Sequence, residues 1–207
     1  MTVFHWFLLL SVFIFLIAAI RIFISAFRKS LITDPSFAKG KKSSGIIYSF
    51  TGAMSPIKKE SAFLHLPTYA AGLIYHFGTF LSIFWLIVLF FSIELNEIFV
   101  VASAVFIFIA SICGIGILLK RIIKRELRQM SNPDDYFSNI LVTIFQIITS
   151  VTIFYKFPVS FLFVYSAILF LYMPIGKLKH SIYFFIARYQ LGIYFGKRGV
   201  WPIKKIR

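Results

Sequence analysis

A single cysteine, Cys113, stands among 207 residues. An internal disulfide framework, a c-type thioether attachment and a cysteine-held iron–sulfur cluster are therefore excluded within one chain. Acidic residues are scarce as well, 7 Asp and Glu against 22 Lys and Arg. None lies in the middle of an apolar run, where ion-coupled carriers place them, and no internal repeat is evident; both absences argue against a small transporter. No constellation for substrate chemistry is present either. Charged residues of both signs make up only 14% of the chain and hydrophobic ones 59%, with a mean hydropathy of +0.88. That is too apolar for a soluble domain of this length. The solvent implied is a lipid bilayer, and the basic excess, which in a soluble protein would suggest nucleic acid, reads as topology.

Apolar runs of about 20 residues are long enough to cross a bilayer as helix. Five are present, at about 3–27, 67–92, 97–119, 136–155 and 158–190, and they predict an all-α, five-helix transmembrane bundle forming one domain. Arg21, Arg28 and Lys29 follow the apolar part of the first run instead of preceding it, so that run reads as a retained anchor with its N-terminus, and His5, outside. A basic cytoplasmic loop at 28–60 carries turn signals at Asp34-Pro35, Gly40, Ser43-Ser44-Gly45 and Ser55-Pro56. Seven Lys and Arg fall in this loop, five between spans three and four, and eight from Lys177 to the C-terminus. Only Lys156 falls outside. The positive-inside rule then places the C-terminus, with a tail at 191–207, in the cytoplasm.

Two histidines lie in or beside these spans. His76 sits within span two, where lipid offers an imidazole no partner. His180 sits toward the inner end of the last run, beside Lys177 and Lys179. Neutral imidazole is the commonest metal ligand, and two on separate spans suit one bound metal. The alternative for His76 is a hydrogen bond to a backbone carbonyl or to Tyr75 or Tyr165; for His180 it is ordinary interfacial placement. His65 precedes His76 by about three helical turns, which offers a second ligand register. Pro67 suits the first turn of the span and puts His65 outside the regular helix, at the interface.

Three stretches carry a resemblance: LIYHFGTF around His76, FIFIASICGIGILLKRIIKREL on span three and its inner exit, and MPIGKLKHSIYFFIARYQ around His180. Together they resemble the respiratory nitrate reductase gamma subunit and related membrane cytochrome b subunits of sulfite-reduction-associated and heterodisulfide reductase complexes. The resemblance implies that His76 and His180 are axial ligands of a haem b near the cytoplasmic face, a one-electron carrier with no open iron position. Two-haem members carry further ligands at positions that fall near Leu86 and on Leu162 here, so it implies one haem. It also implies a membrane quinone or similar lipophilic carrier, a cytoplasmic iron–sulfur partner, and a place in the cell (inner) membrane. A haem-free membrane anchor or assembly subunit is the alternative.

Lys177, Lys179 and Arg188 are near enough in sequence to His180 to meet haem propionates, or are plain positive-inside residues. His65 is a further candidate for a propionate or partner contact. Pro174 predicts a kink in the last span. Ser111, Gly114 and Gly116 predict close helix packing on span three. The basic tail with Trp201 suits anionic lipid or an acidic soluble partner.

Overall fold

The computed structural model describes residues 2–29, 35–55 and 64–203. The expectations that fall on 30–34, 56–63 and 204–207, including the loop and tail cations Lys58, Lys59, Lys204, Lys205 and Arg207, lie outside the described residues. Every regular element among the described residues is helical: α1 (Val3–Lys29), α2 (Lys42–Phe50), α3 (Leu66–Phe90), α4 (Glu97–Ile123), α5 (Arg125–Gln129), α6 (Pro133–Tyr155), α7 (Val159–Tyr172) and α8 (His180–Lys197), with 3₁₀ turns at Gly52–Met54 and Lys177–Lys179. Helices α1, α3, α4 and α6 are each long and apolar enough to cross a membrane; α7 and α8 add a fifth crossing only if taken as one interrupted span. The chain is a multi-pass membrane protein.

It divides into two compact units, one of Met1–Leu16 with Pro67–Leu178, the other of Ile17–Leu66 with Lys179–Arg207. In the first, consecutive long helices run antiparallel. Lys120 near the end of α4 hydrogen-bonds Thr68 at the start of α3. Ser150 donates to the Ala104 carbonyl across α6 and α4 at 2.9 Å, and Tyr165 of α7 donates to the Leu141 carbonyl of α6 at 3.0 Å. Leu86, Leu141, Phe145, Leu162 and Phe163 form the core, with Leu8 of α1 added to it. Helix α6 is the most deeply buried of the long helices. Its start is fixed by a capping box: the Asn132 side chain accepts from the Asp135 N–H at 3.1 Å, and the Asp135 carboxylate accepts from the Asn132 N–H at 3.0 Å. Pro133 at the first helical turn adds a preset φ.

The small residues of α4 act unequally. Ser111 is buried, and a Cβ on Gly114 would strike the Tyr75 ring and the Thr143 hydroxyl, whereas one on Gly116 would meet nothing within 4 Å. Gly114 lets three helices approach, and Gly116 does not take part.

The last apolar run differs from its expected form. A kink is expected at Pro174, but the helix ends at Tyr172 and a new one begins at His180. Proline lacks the N–H that would continue the ladder. The chain then folds back over its own last turn, the Ile175 and Gly176 N–H groups both donating to the Tyr172 carbonyl at 3.0 Å. Gly176 is needed there because a Cβ would enter the Tyr172 ring.

In the second unit, residues 42–50 form helix α2, although Ser43-Ser44-Gly45 reads as a turn. The reason is a partner far along the chain. Gly45 faces Gly192 and Gly196 of α8, and a Cβ on Gly45 would lie 2.5 Å from the Gly196 Cα. This is backbone-to-backbone packing of the small-xxx-small kind. Ser49, fully buried, donates to the Arg188 carbonyl at 2.7 Å, and the Lys39 and Gly40 N–H groups donate to the Lys197 carbonyl at 2.8 and 3.0 Å. Gly199, at φ +72°, makes the turn that follows α8.

Candidate functional site

His76 lies ten residues into the 25-residue α3, about 15 Å from its start by the helical rise. It is exposed. One face of α3 packs through Gly78, Ser82, Trp85 and Leu86. His76 belongs to the other face, in an apolar stripe with Leu73, Phe77 and Phe80, which are 42%, 60% and 64% exposed. One turn below it, a Cβ on Gly72 would meet nothing within 4 Å. The imidazole therefore stands beside a stretch of bare helix backbone on an outward face.

The tyrosines weighed as partners for His76 have other acceptors. The Tyr75 hydroxyl donates to the Asn139 carbonyl at 3.0 Å and lies 3.1 Å from the Thr143 hydroxyl; that of Tyr165 donates to Leu141. The Tyr75 and His76 rings are tilted neighbours with centroids 6.2 Å apart.

His180 is the first residue of α8 and is exposed. It belongs to the second unit and His76 to the first. Lys179 precedes it directly and is half-buried, while Arg188 lies two turns on with its guanidinium 5.7 Å from the Phe184 ring centroid. His65 is exposed and falls just before α3, with Pro67 in the first turn of that helix. Lys177 is brought to a carboxylate: its ammonium contacts Asp135, which Arg121 also approaches at 3.2 Å. This cluster ties the C-terminal end of α4, the cap of α6 and the turn after α7. The sequence reading missed it because Asp135 looks there like a simple helix-start acid.

A second missed feature is the polar face of α6. Gln146 is fully buried, and its amide donates to the Tyr75 carbonyl and to the Thr79 hydroxyl, both at 2.8 Å. Thr79 in turn donates to the Tyr75 carbonyl at 2.9 Å. The signal for it was a Gln amid an apolar run, four residues from Ser150 and three from Thr143.

Among the described residues no three or more His, Cys, Asp or Glu side chains stand together in a metal-binding group. Accessible neutral imidazole is the donor a bis-histidine iron takes, and His76 and His180 are both exposed, so these residues fit such a group chemically. Leu86 and Leu162 are 5% and 0% exposed in one apolar core. Compared with known proteins, the chain matches no family model, and no curated protein or solved structure matches it significantly.

Proposed function

We propose that the chain is the haem b-carrying membrane subunit of a respiratory oxidoreductase complex in the cell (inner) membrane, with His76 and His180 as axial ligands of one haem. The observation that carries this reading is His76 itself, an exposed imidazole well inside a membrane-crossing helix, beside uncovered backbone at Gly72. An ionisable side chain so placed is retained at a cost unless it has a task. Leu86 and Leu162 lie in an apolar core with Phe145 and Phe163, which supports one haem rather than two.

Held by two imidazoles, haem b would supply one-electron transfer. The residues of this chain hold it and set its surroundings. Lys179 and Arg188 supply charge for the propionates. Lys177 shares its charge with Asp135. His65, outside the regular helix, suits a propionate or partner contact. With the N-terminus outside and the C-terminus in the cytoplasm across five crossings, His180 faces the cytoplasmic side, where an iron–sulfur protein is the fitting partner. A membrane quinone or similar lipophilic carrier is the other.

A reduced-minus-oxidised optical spectrum with a haem-to-protein ratio tests this. About one b-type haem per chain is expected, lost in His76→Ala and in His180→Ala. Two haems would make His65 a ligand. A colourless wild-type protein would leave a membrane anchor for a soluble redox partner.

A further inference from the structure

The described residues of the second unit include ten Lys and Arg and no Asp or Glu, whereas those of the first include seven basic and five acidic residues. Basic residues therefore dominate the described part of the second unit. They are also gathered. The bonds from Lys39 and Gly40 to the Lys197 carbonyl bring the start of α2 to the end of α8, so that Lys39, Lys41, Lys42, Lys197 and Arg198 share one end of the α2–α8 pair. Trp201 is at that end too, its ring 4.7 Å from Phe195 and 5.5 Å from Tyr48. At the opposite end Phe50 stacks with Phe185 and meets Phe184 edge-on. Ile47, Phe185 and Leu191 are 66%, 58% and 40% exposed.

We infer that the α2–α8 pair is an interfacial element that lies in the headgroup layer of an anionic leaflet, its exposed aliphatic and aromatic side chains in the acyl boundary and its cations on lipid phosphates. Three observations converge on lipid. Helix α8 carries Arg188 and Gln190 halfway along and does not qualify alone as a membrane crossing; its aromatic residues suit the membrane–water interface. The charge gathered at that end, Lys39, Lys41, Lys42, Lys197 and Arg198, is basic and complements anionic headgroups. The unit is also tethered: α1 is one continuous helix, a membrane crossing whose second half belongs to this unit. A surface already held at the bilayer meets lipid at high effective concentration, which a soluble acidic protein must match by affinity. In the interrupted last span, α8 is then the limb at the interface, and the inference does not depend on haem.

The test uses the full chain in nanodiscs, with a spin label on Ile47→Cys in a Cys113→Ser background, in phosphatidylcholine alone and in equal parts phosphatidylcholine and phosphatidylglycerol. With phosphatidylglycerol, the label is expected to lose access to a water-soluble nickel relaxer and gain access to oxygen. Each neutralisation among Lys41→Gln, Lys42→Gln and Arg198→Gln lowers the preference for the anionic bilayer about fivefold. Salt titration of the otherwise unaltered labelled chain reads the same dependence without charge substitutions, and hydrogen exchange at Tyr48 and Ser49 checks that α2 stays docked on α8. A label open to nickel in both bilayers overturns the inference, as does equal shielding in both. Shielding by soluble polyglutamate but not by phosphatidylglycerol also overturns it, in favour of an acidic soluble partner.

Discussion

The two units solve the packing problem with different emphasis. Between helices in lipid there is little hydrophobic drive, because acyl chains are as apolar as leucine, so association rests on close packing and on polar bonds. The first unit uses side chains: Gln146, Thr79, Tyr75, Thr143 and Ser150 bond across α3, α4 and α6 around a core of Phe145, Leu162 and Phe163. The second uses the lack of side chains, with Gly45, Gly192 and Gly196 bringing α2 and α8 into backbone contact. A side-chain network can adjust when one member changes. Glycine contact cannot, because the atoms that would have to move are backbone.

The comparison breaks most sharply at Gly45. In Gly45→Leu the new side chain starts 2.5 Å from the Gly196 Cα and also meets the Gly192 carbonyl, so α2 must leave α8. The expected cost is about 3 kcal/mol or more, at the upper end for overpacking, read as lost hydrogen-exchange protection at Tyr48 and Ser49. Gly116→Ala is the control: its Cβ meets nothing, and the gain in helix propensity is within about 1 kcal/mol. Equal effects at the two positions would remove the distinction between the units.

Next in size is Asp135→Asn. The carboxylate is buried while Arg121 and Lys177 are 34% and 50% exposed in their side chains. Its loss leaves two cations without their shared anion, but solvent screens them, so about 2 kcal/mol is expected, between the values for exposed and for buried pairs. Asn retains an oxygen for the Asn132 N–H, so the start of α6 should persist. The check is the unfolding midpoint in mixed micelles, with Lys177→Gln falling by less than Asp135→Asn.

How far these features were legible follows from where their signals lie. Hydropathy is local, and four crossings were read within four residues at each end: 67–92 against Leu66–Phe90, for example, and 97–119 against Glu97–Ile123. Pro174 marked the site of the break in the last run, but its conversion from kink to turn needed Gly176 folding over Tyr172. Helix α2 was hidden because Ser43-Ser44-Gly45 is a turn signal by itself, and its helical state depends on Gly192 and Gly196. Of the candidate site, the sequence located His76 within a crossing. Its outward rotation, and the bare backbone at Gly72, were not legible, since the face a helix buries is chosen by its neighbours.

The smallest expected effect is at Gln146, and it sharpens the contrast from the other side. Gln146→Leu removes two donated bonds, to the Tyr75 carbonyl and Thr79 hydroxyl. It also removes a buried amide oxygen that has no hydrogen-bond partner, and leucine nearly fills the same volume. The Tyr75 carbonyl keeps the Thr79 hydroxyl as a donor, so the loss is partly made good within the network. Interhelical polar bonds in membranes average about 0.6 kcal/mol, and relief of the orphaned oxygen offsets part of that. A net change under about 1 kcal/mol is expected in the unfolding midpoint, with the α3–α6 contact intact. Gln146→Ala separates the two contributions, because it removes the same bonds but leaves a cavity beside Gly78 and Ala110, costing about 2 kcal/mol more. If Gln146→Leu proved as damaging as Gly45→Leu, the side-chain network would be as unforgiving as the glycine contact, and the first unit would owe its order to one amide.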